Sequence, residues 1–123
     1  MSVSNEYSEY VMELLEPIGR LHKARFFGGV AISRDGVQFA MLMDNSLYFV
    51  VDDSTRPHYE QRGMHAFSYL TNKGRIQIQK YYELPEDVLT DSEQVRQWAQ
   101  ASIRIASAGK QPSRGKRATT RQK

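Results

Sequence analysis

Asp35-Gly36-Val37-Gln38-Phe39-Ala40-Met41-Leu42-Met43-Asp44-Asn45-Ser46-Leu47-Tyr48-Phe49-Val50-Val51 carries the architecture of this chain. Asp-Gly between apolar runs is a strong two-residue hairpin signal, because both central residues of that turn need positive φ. Asp44-Asn45 repeats the punctuation. Val37 to Met43 and Leu47 to Val51 are therefore neighbouring antiparallel strands. Their apolar residues run nearly without a break, more than a half-wet sheet needs. One face is expected to pack on helices and the other to be partly covered.

Working outward, Leu21 to Phe27 reads as a first strand, Gly28-Gly29 as a break, and Val30 to Ile32 as its continuation. Upstream, Tyr7, Val11, Leu14, Leu15 and Ile18 share one face of a 3.6-residue period, with Ser4 as N-cap. Pro17 and Gly19 end that helix. Downstream, Arg56 to Arg62 is a short helix with Pro57 in its first turn and Gly63 behind it. Phe67 to Leu70 is a strand, and Ile76, Ile78, Lys80 and Tyr82 alternate with Gln77, Gln79 and Tyr81 as a second one. That alternation puts Tyr81 and Tyr82 on opposite faces, so at least one is expected near solvent. Thr90 with Glu93 has capping-box spacing, and Asp91 is the alternative cap. Val95, Trp98, Ala99, Ser102, Ile103 and Ala106 then form a helical stripe expected in the core. The fold class is α+β: a mainly antiparallel sheet of five to six strands with N-terminal, short central and C-terminal helices.

Charge divides the chain. Six of its 17 basic residues (Lys110, Arg114, Lys116, Arg117, Arg121 and Lys123) lie in residues 107–123, where there is no acid. That leaves eleven basic against 14 acidic residues in 1–106, a net charge of −3. We therefore expect a folded domain at 1–106 and a basic disordered tail at 107–123 with too little apolar surface to fold. The tail is either a solubilising extension or a weak, salt-sensitive nucleic-acid contact. No membrane span or secretory leader is expected, and cysteine is absent. Those features fit a cytoplasmic protein.

Catalytic constellations do not assemble. His22, His58 and His65 lack zinc-site spacing. Asp52 and Asp53 are adjacent, so on a strand they point apart. There is no nucleophile elbow. Phe27-Gly28-Gly29 lacks the further glycines and the Lys-Ser/Thr of a phosphate loop, and reads as a tight turn or bulge. Tyr48, Phe49, Tyr69, Tyr81 and Tyr82 could stack bases, but the acidic charge of 1–106 favours cross-strand packing. No cofactor or metal is expected.

Several spans taken together resemble a known family. They are Phe27-Gly28-Gly29, Arg34 to Ala40 with Asp35-Gly36, Asp44 to Phe49 with Tyr48, Phe67-Ser68-Tyr69, and Tyr81 to Glu86 with Tyr82 and Pro85, followed by Trp98. In this order they are similar to the N-terminal domain of the TfoX/Sxy competence regulators, over roughly residues 10–106. The resemblance implies a bacterial, cytoplasmic, non-enzymatic domain that regulates transcription by protein–protein contact. A partner such as a cyclic-AMP receptor protein is implied in the same way. Two features depart from the pattern. A basic tail stands where founding members carry a second helical domain. The arginine usually three residues before the Phe of Phe-Gly is Ala24 here, with Arg25 one place later. The reading from another class is direct nucleic-acid binding through the tail.

Overall fold

A computed structural model describes residues 4–109. Helix α1 spans Asn5–Leu15, with the Ser4 hydroxyl accepting the Tyr7 N–H at 3.1 Å as its cap. A 3₁₀ turn, Glu16–Ile18, follows. Strands β1 (Leu21–Phe26), β2 (Gly29–Arg34), β3 (Val37–Met43) and β4 (Ser46–Val50) form a meander. Helix α2 is Arg56–Glu60, and β5 (Ala66–Thr71) and β6 (Gly74–Glu83) are a hairpin. Helices α3 (Glu86–Leu89) and α4 (Ser92–Gly109) end the described chain. All strand pairs are antiparallel, in the order β1-β2-β3-β4-β6-β5. The α+β expectation holds, with six strands.

Three successive hairpins use the same turn. Phe27-Gly28, Asp35-Gly36 and Asp44-Asn45 all have positive φ at both central residues. That is the backbone whose twist matches paired strands. Asp and Asn tolerate it; Phe27, at φ 50°, does not do so readily. Gly29 then enters β2 beneath a neighbour: a Cβ there would strike the Leu42 carbonyl oxygen. Only glycine lets the two backbones approach this closely.

One row of paired residues crosses the whole sheet: Lys23, Ile32, Ala40, Phe49, Tyr82 and Ala66. Paired residues share a face, and this face carries the helices. Lys23 Nζ donates to Ser8 Oγ of α1 at 2.9 Å, and Tyr82 packs on Tyr59 of α2. Val11 and Leu15 of α1 and Val95, Ala99 and Ile103 of α4 complete the core over Ile32, Ala40, Leu42 and Phe49. Burying each large apolar side chain is worth about 1.5–3 kcal/mol. Arg96 Nε ties α4 to α1 through the Leu14 carbonyl at 2.9 Å.

Three expectations need correction. Trp98 is not in the core: it is half-buried at the edge, edge-on to Tyr59 (4.7 Å) and under the Arg62 guanidinium (5.4 Å). Its removal therefore costs less than a fully buried tryptophan's. The cap of α4 is Asp91, whose Oδ1 accepts the Glu93 and Gln94 N–H groups, because Thr90 closes the unexpected helix α3. Tyr81 and Tyr82 do lie on opposite faces, yet both are buried. The face turned away from the helices is itself covered.

Two tyrosines make the fold sensitive to alkali. Burial first, and the Glu83 carboxylate second, push the Tyr7 hydroxyl up to about 12. Burial pushes Tyr59 up further, against a smaller opposing effect from its hydrogen bond with Ser102. Both are neutral in the native state at pH values where an unfolded chain, with tyrosine near 10, has ionised. The contribution of these two groups is therefore fully present below pH 10 and is lost as pH rises from 10 through about 12. Urea titrations across that window should show the fall, and Tyr7→Phe should make it shallower. Gly29→Ala should lower the urea midpoint by an amount equivalent to about 1–3 kcal/mol.

Candidate functional site

The second face of the sheet starts with the row Ala24, Ala31, Met41, Tyr48 and Glu83. Met41 and Met43 are 1% and 2% exposed and Tyr81 is 7% exposed, so the middle of this face is shielded from water. What hides it is the sheet itself. A cavity of about 490 Å³ is lined by Phe26 and Phe27 from the β1 end, and by Met41 and Met43 from β3. Phe67 and Tyr69 of β5 and Ile78 and Tyr81 of β6 form the opposite wall. β1 and β5 are the two edges of the sheet. In a flat six-stranded sheet they would stand about 24 Å apart. Both lining one cavity means that the sheet curls strongly about β3 and β4.

An irregularity in the last hairpin produces the curl. β4 pairs only with Tyr81 to Glu83 of β6, so the rest of β6 pairs with β5 alone and forms an arm. Ala66 pairs with Tyr82, but the next residue, Phe67, already pairs with Ile78. Gln79, Lys80 and Tyr81 bulge out at this joint, and bulges bend a strand and re-aim its side chains. Strict alternation would put Ile78 on the face of Tyr82, over the helices. The bulge puts it in the cavity beside Tyr81 instead. Tyr48 braces the arm edge-on to Phe67, with ring centroids 5.3 Å apart.

The cavity is apolar and aromatic, with its polar groups at the margin. Gln38 Nε2 donates to the Tyr81 hydroxyl at 2.9 Å, and burial pushes that hydroxyl's pKa up. Tyr48 is raised too, by burial and then by the Glu83 carboxylate. Enclosed empty apolar volume costs about 24 cal/mol per Å³, so a sealed void of this size would cost on the order of 10 kcal/mol. That is the whole stability of a small domain. This one opens to solvent past Phe27, 85% exposed, and Tyr69, 39% exposed. Its lining gives water few hydrogen-bond partners, so entry of an apolar group into the cavity is favoured.

The expected site residues do not gather in one place. Arg25, Phe27, Gly28 and Gly29 gather at the β1–β2 end, beside the cavity. Asp35-Gly36 is the next turn, and Tyr48 is behind Phe67. Tyr82, Pro85 and Trp98 lie elsewhere: Tyr82 donates to Glu60 at 2.8 Å on the helix side, Pro85 opens α3, and Trp98 sits against α2. Lys110, Arg114, Lys116, Arg117, Arg121 and Lys123 lie outside the described residues. Asp52 and Asp53 serve local structure. Asp52 Oδ1 accepts from Ser54 and Thr55, which pulls its pKa down, and Asp53 pairs with Arg56 at 2.6 Å. His22, His58 and His65 are exposed on β1, on α2 and before β5. Among the described residues no three His, Asp or Glu gather to hold a metal, and no helix is long and apolar enough to cross a membrane. The sequence did not mark Met41, Met43, Phe67 or Ile78 as lining one site; for Met41 and Met43 the signal was the unbroken apolar run of β3.

Residues 13–106 match the TfoX N-terminal domain, from the last turn of α1 to the last buried turn of α4. No curated protein matches the chain. The matched family is one of competence-related regulatory domains and is not a known enzyme family. The match covers every strand of the curled sheet and both walls of its cavity, and the chain belongs to the TfoX N-terminal domain family.

Proposed function

We propose that this chain is a non-enzymatic regulatory module of the cytoplasm that acts by protein–protein contact through the mouth of the sheet cavity. Phe27 carries the reading. It is a bulky side chain in a left-handed conformation and is 85% exposed. That conformation costs an L-residue about 1–2 kcal/mol. The next two turns of the meander meet the same demand with Asp-Gly and Asp-Asn. A strained residue left facing solvent marks function, and an exposed aromatic beside an apolar pocket is the anchor chemistry of a protein interface. The family's regulatory character and the resemblance to competence regulators point to transcription machinery, with a cyclic-AMP receptor protein as the first partner to test. The alternative is nucleic-acid binding, supported by the six basic residues concentrated in 107–123. It requires DNA affinity that falls steeply with salt and vanishes when those six are changed to glutamine.

Phe27→Asn separates folding from contact. It should raise stability by about 1 kcal/mol, read as a higher urea midpoint at unchanged slope, while partner contact is lost. The contact itself is read by placing a photo-crosslinking phenylalanine at position 27 in living cells. A discrete protein adduct at Phe27 and none from the exposed α4 position Arg104 is the expected result. No adduct at Phe27, or the same adducts at both positions, would refute protein contact through this mouth.

A further inference from the structure

β1 is an edge strand, paired with β2 on one side only, and four of its six residues are exposed. Arg20, His22, Lys23 and Arg25 crowd onto and beside it with no acid between them, although residues 1–106 are net acidic. Among the described residues Arg20 and Arg25 have no ion-pair partner, and Lys23 is held only by the Ser8 hydroxyl. The other edge, β5, carries no charged residue from Ala66 to Thr71. The charges on β1 follow the pleat. Lys23 is in the row of Ile32 and Ala40 on the helix side, and Arg25 shares its face. Ala24 is in the row of Met41 on the cavity side, and Phe26 lines the cavity itself.

We propose that β1 accepts an added strand from a partner whose extended segment alternates acidic and apolar residues. The added strand takes up the free backbone groups of β1. Its acidic side chains stand opposite Lys23 and Arg25, and its apolar side chains stand opposite Ala24 and Phe26 and enter the cavity. Cross-strand pairing sets both preferences at once. The same cations repel a second β1, which is how edge strands avoid self-pairing. An acidic strand is the occupant they admit. This inference rests on protein contact at the cavity mouth and specifies the chemistry of the partner there.

The test uses the full chain, labelled with ¹⁵N, and a capped synthetic peptide, Glu-Leu-Glu-Phe-Glu-Leu-Glu. The expected result is slowed hydrogen exchange at β1 amides together with shift changes at Met41 and Met43. A local readout on β1 separates strand addition from attraction of the peptide to the basic tail. Arg25→Glu should weaken the peptide by about fivefold, and a peptide with lysine for glutamate should then regain affinity. N-methylation of alternate peptide amides should abolish β1 protection. Equal binding of the N-methylated peptide would overturn strand addition and make the cavity a site for apolar groups alone. Equal binding of the lysine peptide to the unaltered chain would overturn the charge rule. Self-association of the chain through β1 in the absence of peptide would also overturn the proposal, since a second copy then fills the edge. A discrete crosslink at Phe27 with no β1 protection refutes strand addition and leaves protein contact standing.

Discussion

Met41, Met43 and Tyr81 are buried on the face of the sheet turned away from the helices. Six strands make two faces, and the helices packed on the row of Ile32, Ala40, Phe49 and Tyr82 cover one of them. An apolar second face left flat would expose several hundred Å² to water, which monomeric domains avoid. The sheet instead curls on itself. The bulge opposite Ala66–Phe67 lets the β5–β6 arm turn inward, and Tyr48 holds it there through Phe67. The arm cannot fill the space it encloses, so the cavity is a direct consequence of the curl.

The rest of the structure follows from supporting that curl. Three turns of the same type keep β1 to β4 tightly twisted. Gly29 lets β2 lie close to the Leu42 backbone, next to the cavity residue Met43. α1 and α4 stiffen the convex side and are tied together at Arg96. Asp91 starts α4 at the right residue. Phe27 is the place where this consistency breaks: the turn geometry asks for Asn, Asp or Gly, and the sequence supplies a large aromatic facing solvent. Local rules are broken most often where function needs them broken.

Much of this was legible in the residues. Hairpins at Asp35-Gly36 and Asp44-Asn45 follow from turn chemistry, and α1 follows from Ser4 and its apolar spacing. The nearly unbroken apolar runs of Val37 to Met43 and Leu47 to Val51 signalled one face packed on helices and the other partly covered. The cavity was not legible, because it is made by residues far apart in sequence whose facing is reset by a bulge. Strict alternation puts Ile78 with Tyr82, and nothing local marks Gln79 to Tyr81 as the place where alternation fails. Trp98 was misplaced for a related reason: helical spacing puts it on the buried stripe but cannot say that the stripe's edge meets Arg62 and solvent.

The family is one of competence-related regulatory domains, and the geometry gives this chain an apolar recess with a basic strand at its rim. The recess depends on the two sheet edges meeting across it, so the most direct measurement is a nuclear Overhauser spectrum of the methionine methyl groups. The methyls of Met41 and Met43 should show contacts to ring protons of Phe26 or Phe27 on one side and of Phe67 or Tyr69 on the other. Contacts to the β1 side alone, with the rings of β5 free in solvent, would mean an open sheet with no recess and would contradict the curled fold.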